Sequence, residues 1–197
     1  MKIVITLVAA ALASACSSAP IQSGGAESID VLVEPPAPTD ASPQHRWLLS
    51  LVGEWKGTSS DVGEAQPGAD PVQWTFTEVI KPVGELWVVT EGASSGGEDS
   101  FSSRFTLGYD VAQGKFVGSW VDSMQTTQWT YTGELDAAQR VLSLYAEGPS
   151  MTTPGETATY RDQLVLVDAN HKRMVSSVEG DNGEWQTYMT VEFVRTK

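Results

Sequence analysis

The stretch Trp129-Thr130-Tyr131-Thr132-Gly133-Glu134-Leu135, followed by Asp136-Ala137-Ala138-Gln139, decides the fold class. Trp129, Tyr131 and Leu135 share one face at a spacing of two, and Thr130 and Thr132 take the other. One apolar face and one polar face mark a strand of an antiparallel sheet. The polar residues that follow have the composition of a tight hairpin turn. The same alternation recurs outward in both directions. Trp74 and Phe76 share a face, as do Phe105, Leu107 and Tyr109, then Phe116, Gly118 and Trp120, and finally Trp185, Met189, Val191 and Phe193. Thr75, Thr77 and Thr190 lie opposite. The pattern predicts about ten strands, with cores near 54–60, 72–80, 85–91, 103–109, 115–121, 127–135, 140–147, 157–167, 172–179 and 185–195.

The connections alternate in length. Lys81–Gly84, Val111–Gly114, Asp136–Gln139 and Asp168–His171 read as tight turns. Between them fall Gly, Ser and Pro-rich loops near 61–71, 92–102 and 148–156, with shorter ones at 122–126 and 180–184. In an up-and-down meander, alternate connections lie at the same end of the sheet. One end is therefore laced by tight turns and the other is ringed by loops. A sheet this long curls, and closure removes its exposed edges. The expectation is an all-β, antiparallel up-and-down meander closed into a roughly ten-stranded barrel. Arg46-Trp47-Leu48-Leu49-Ser50-Leu51-Val52, ended by Gly53, reads as a short helix that plugs the tight end.

The beginning of the chain has a different character. Lys2 precedes the apolar run Ile3–Leu12, which is too short to span a bilayer, and then come Ala13-Ser14-Ala15-Cys16. This segment resembles a bacterial lipoprotein signal, in which the thiol is lipidated and the chain is cut just before it. Cys16 is the only cysteine, so no internal disulfide forms. Ala13-Ser14-Ala15 also suits ordinary signal peptidase, which would leave Cys16 as a free thiol. Ser17 in the following position fits sorting to the outer membrane, facing the periplasm. The expected division is a signal peptide at 1–15, a lipidated cysteine and disordered Pro/Ser/Ala-rich tether at 16–43, and a barrel domain at 44–197. A formal charge of −13 argues against nucleic acid as a partner and leaves membrane attachment to the lipid.

Gly53-Glu54-Trp55 after a short helix resembles the Gly-x-Trp opening of lipocalin-like (calycin) barrels. The resemblance implies a structural pair at the closed end, with Trp55 packed beneath a basic side chain of the last strand, here Arg195. A closer likeness covers most of residues 45 to 195. It rests on His45-Arg46-Trp47-Leu48, Gly53-Glu54-Trp55, Gly108-Tyr109-Asp110, Phe116-Val117-Gly118-Ser119-Trp120, Ser123-Met124, Glu147-Gly148-Pro149 and Thr159-Tyr160-Arg161-Asp162. These motifs resemble the bacterial family called domain of unknown function 1579. That family implies a lipocalin-like fold and no established activity.

Few residues suggest catalysis. The two histidines, His45 and His171, both fall at the tight end and neither has a ligand-spaced partner. No metal site, cofactor or catalytic residue is expected. Three carboxylates share a face with apolar residues: Glu78 with Trp74 and Phe76, Asp122 with Phe116 and Trp120, and Asp162 with Tyr160, Leu164 and Leu166. An inward carboxylate needs a hydrogen bond or a counter-ion. Salt bridges to Arg161, Arg104 or Lys81 are the simple account, and a ligand-facing acid is the functional one. The seven tryptophans and five tyrosines either fill the barrel or line a cavity. Ten strands enclose more room than side chains alone fill. Gly118 and Gly133 either widen that cavity or relieve strand curvature. The leading expectation is a small hydrophobic or amphipathic ligand lined by Trp74, Phe76, Tyr109, Trp120, Trp129, Tyr131 and Trp185, with Asp162 as polar contact. Two alternatives are a protein-interaction module with a filled barrel and a cofactor-free enzyme using buried carboxylates.

Overall fold

Ten antiparallel strands close on themselves in sequence order, so that the last pairs with the first. The structure, a computed structural model, describes residues 39–61, 74–96 and 99–197. The signal segment, Cys16, the tether up to residue 38 and most of the 61–71 loop lie outside the described residues. A helix, α1 (Pro43–Leu49), precedes the strands β1 (Gly53–Asp61), β2 (Thr75–Val83), β3 (Trp87–Gly96), β4 (Asp99–Asp110) and β5 (Lys115–Asp122). The second half comprises β6 (Trp129–Leu135), β7 (Val141–Pro149), β8 (Thr157–Leu166), β9 (His171–Glu179) and β10 (Trp185–Arg195). Closure pairs β10 with β1, setting Arg195 opposite Trp55.

The helix starts one turn earlier than Arg46 because its local chemistry favours Ser42 as the cap. The Ser42 hydroxyl accepts the His45 N–H, His45 Nδ1 accepts the Ser42 N–H at 2.9 Å, and Pro43 presets the first turn. His45 Nε2 then donates to the Tyr109 carbonyl at 3.0 Å, and Trp47 Nε1 donates to the Gln139 carbonyl at 2.9 Å. The helix is thus tied to β4 and to the β6–β7 turn. Leu48 and Leu51 are buried beneath it and close the tight end.

Trp55 is the floor of this closure. Its indole is buried and donates to the Leu51 carbonyl at 2.9 Å. The Arg195 guanidinium lies 4.0 Å from the ring centroid. It donates to the carbonyls of Ser50 (2.8 Å), Ala169 (2.9 Å) and Val52. One side chain therefore joins the helix C-terminus, the β8–β9 turn and the barrel seam.

Two connections depart from the sequence expectation. The first reversal falls at Gly84, whose φ of 59° suits glycine, so Lys81-Pro82-Val83 continues β2 and Pro82 sits opposite Val88. Residues 92–96 and 99–102 are strand and not loop, because β3 and β4 remain paired out to Gly96 opposite Asp99. Small residues have weak strand preference, but the ladder is made by the backbone and continues through them. Gly118 and Gly133 do not widen the interior. A Cβ on Gly118 would lie 2.4 Å from the Thr106 carbonyl oxygen, and one on Gly133 would lie 2.1 Å from that of Ser143. Both permit close approach of neighbouring strands.

Replacing Arg195 by Ala should lower unfolding stability by about 2 kcal/mol, through lost stacking and three uncapped carbonyls. Lysine should restore little of it, because the planar fork is what stacks and bridges. Urea unfolding followed by tryptophan fluorescence measures both variants. An unchanged midpoint in Arg195→Ala would refute the role given to it.

Candidate functional site

The two halves of the barrel interior are packed differently. Toward the plug, Leu51, Ile80, Val88, Leu107, Leu144 and Leu164 leave a gap of only about 40 Å³. Toward the loop-ringed end a cavity of about 200 Å³ remains. Its wall is aromatic, built from Phe76, Phe101, Trp120, Trp129, Tyr131 and Tyr160, with Tyr188 and Phe193 completing the ring. The rings meet edge to face, with Trp129 and Tyr160 at 5.0 Å and Phe105 and Tyr131 at 5.6 Å. The Trp129 ring lies against Gly148, where a Cβ would approach it to 2.1 Å. Met151 and Gln125, from the β7–β8 and β5–β6 loops, border the cavity at its mouth.

Asp162 faces the boundary between the two spaces and borders both. The barrel encloses it from bulk water while leaving part of the side chain exposed to the cavity. Tyr131 donates its hydroxyl to Asp162 Oδ2 at 2.8 Å. Oδ1 has no hydrogen-bond partner among the described residues. The Ser176 hydroxyl is close enough to favour the ionised form, though it stands off hydrogen-bond geometry to Oδ1. Burial outweighs both and pushes the carboxyl above its ordinary range. Burial and the neighbouring carboxyl likewise push the Tyr131 and Tyr188 phenols upward.

The other two inward carboxylates have found partners. Glu78 pairs with Lys172, whose side chain is only 2% exposed and whose Nζ lies 4.5 Å from the Phe193 ring and 5.0 Å from that of Trp55. The partner is thus neither Arg161, Arg104 nor Lys81. Arg104 and Lys81 instead meet Glu91 on the outer surface. Asp122 does not point into the cavity as a free acid. It accepts the Met124 N–H (2.7 Å), the Gln125 N–H (3.2 Å) and the Trp120 indole N–H (3.1 Å). Partial burial pushes it up, but hydrogen bonds from Gln125, Met124 and Trp120 prevail and hold it below the ordinary range. Its role is to fold the rim loop and fix the Trp120 ring.

Of the residues expected to line a cavity, Phe76, Trp120, Trp129, Tyr131 and Asp162 converge on this one. Trp74 lines a shallower recess beside it that shares Phe76, Phe101, Tyr188 and Met189. Tyr109 and Trp185 are placed elsewhere. Tyr109 lies at the plugged end, 5.7 Å from the His45 ring and 5.1 Å from Phe116. Alternation gives a residue's face and not its height along the barrel. Trp185 is on the outer face, stacked under Arg161 at 4.4 Å and beside Tyr145 at 5.9 Å. The register slips between Thr187 and Met189, and this bulge at Tyr188 inverts the alternation. It turns Tyr188 inward, a lining residue the periodicity missed. Phe101 lies in β4 next to serines and glycines that carry no strand signal. Lys172 had a legible signal, since it shares the parity of Met174 and Ser176.

A ten-stranded antiparallel barrel, plugged at one end and hollow at the other, defines a lipocalin-like protein. Residues 40–195 match the family described as protein of unknown function (DUF1579), and the chain belongs to that family. Among solved structures the chain is similar to Rv2717c from M. tuberculosis, at 15% identity and a TM-score of 0.52, covering 80% of this chain and 100% of that one. It is also similar to the S-type phycobiliprotein lyase CPES from Guillardia theta, at 10% identity and a TM-score of 0.47, covering 78% and 93%. At such identities the likeness is one of fold. No curated protein matches the chain.

The Asp162 environment predicts a pH signature. The folded chain binds this proton more tightly than the unfolded chain, whose value is near 3.8. The resulting stability is present below that value and is lost as pH rises through the higher folded value. Asp162→Asn removes the titrating group and therefore the loss. Urea midpoints of variant and wild type should diverge in the variant's favour as pH rises above about 4. Parallel curves would contradict a desolvated carboxyl.

Proposed function

We propose that the barrel holds one small hydrophobic or amphipathic molecule in the cavity at its loop-ringed end. The observation that carries this reading is the contrast within one interior: the plugged half is filled to a gap of about 40 Å³, while the other half keeps about 200 Å³. Lining that space with aromatic rings makes a ligand's burial favourable, at about 25 cal/mol per Å² before ordering costs. Exposed methionines at the rim, Met124 and Met151, give an apolar and adaptable entry. A barrel serving only as an interaction module has no use for an unfilled interior of this kind. Glu78 is neutralised by Lys172, which leaves Asp162 without a second free carboxylate for acid–base work.

In the same reading the protein is exported, and Cys16 is the lipidation site that holds it at the periplasmic face of the outer membrane. Residues 1–16 support this through a short apolar run and the small residues before a lone cysteine.

Native mass spectrometry of the protein from its own host should find a stoichiometric small molecule, released by organic solvent. Met189→Trp fills the cavity and should abolish that adduct while the melting temperature holds. An apo mass for wild type, or an adduct that survives the filling, would end the proposal. Cys16→Ser should move the protein from the membrane fraction to the soluble envelope fraction. An unchanged distribution would remove the lipid anchor.

A further inference from the structure

The charges bordering the interior do not balance. Among the described residues, the carboxyl and amino groups lining its two spaces are those of Glu78, Asp162 and Lys172. The Lys172 ammonium is committed to Glu78. Asp162 is left with hydroxyls alone: Tyr131 on Oδ2, and Ser176 and Tyr188 close by. Arg161, its chain neighbour, points to the outer surface and stacks on Trp185. The fold thus encloses a carboxyl without a counter-cation, which either keeps its proton or meets a positive charge brought from outside the chain.

The walls around it favour the same sign of ligand. Phe76, Phe101, Trp120, Trp129, Tyr131 and Tyr188 border the space, and aromatic faces attract cations, more strongly where water is excluded. A neutral apolar ligand would leave Asp162 as it stands, and an anionic one would be repelled by it. We infer that the molecule held in this cavity carries a protonated amine, paired with the Asp162 carboxylate, on an apolar body enclosed by these rings. The inference rests on the cavity being a binding site, as proposed above, and adds the chemical class of its ligand.

Three probes of one length separate the possibilities: phenylbutylamine, phenylbutanol and phenylbutyrate, titrated into the full chain by calorimetry. The amine should bind at least about tenfold tighter than the alcohol, the advantage of a charge-assisted bond, with the acid weakest. Asp162→Asn should bring amine and alcohol to within about twofold of each other by removing that bond. As pH is lowered from neutrality the wild type's amine affinity should fall, because the proton competes with the amine for Asp162, while alcohol affinity stays level. Glu78, Lys172, Tyr131, Tyr160 and Tyr188, the other titratable groups facing this space, all remain in Asp162→Asn. Amine affinity in that variant should stay level over the same pH series, which isolates Asp162 as the titrating group. Should the variant fail to fold, the wild-type pH series decides alone, and level affinity for both probes overturns the inference. Alcohol binding as tightly as amine overturns the amine and leaves the binding site standing. Binding of none of the three overturns both.

Discussion

Arg195 over Trp55 is the contact on which the barrel's organisation turns. A meander of ten strands has two edges until the first meets the last, and unpaired edges invite association with other chains. The β1–β10 ladder closes that gap, and the guanidinium fixes it at the plugged end by stacking on the indole and capping carbonyls of the helix terminus and a distant turn. Its charge is then spent on neutral acceptors and a ring, so a single residue sets helix, seam and turn together. With that end sealed by Leu48, Leu51 and Trp55, the larger of the two interior spaces lies toward the loops.

Two buried carboxylates in this interior meet opposite fates. Glu78 enters the barrel with its own cation, since Lys172 arrives from β9 and lies near the faces of Phe193 and Trp55. Removing one partner of such a pair would strand the other, which is the severe failure of buried ion pairs. Asp162 has only a phenol and a nearby serine, and burial holds its proton more tightly than usual. The difference is one of supply: the lysine is in the chain, and Asp162 is left to a counter-charge from outside it.

Much of the architecture was legible in the chain. Period-two alternation in Trp129–Leu135 and its neighbours located the strands, and the alternation of tight and long connections gave the plugged and open ends. These are local signals, in which each residue's role follows from the residues a few places away. The departures arose where the local signal was silent or inverted. Glycine and serine at 92–102 mask a ladder made by backbone alone, and a bulge at Tyr188 inverts the faces of β10. Tyr109 has the right face and the wrong height, because alternation carries no information about depth.

The sequence by itself therefore determined the strand count, the meander and the plug, and it supplied a pool of aromatic and acidic residues from which the interior is drawn. Tertiary structure alone decided which of them meet. Glu78 and Lys172 stand 94 positions apart and Tyr131 and Asp162 stand 31 apart, so no local pattern could pair them. Nor could composition say whether the rings fill the barrel or leave a hollow, because that depends on how many side chains reach each level of the closed sheet. Closure fixes those levels, and with them, among the described residues, the carboxyl of Asp162 inside the barrel without a cation.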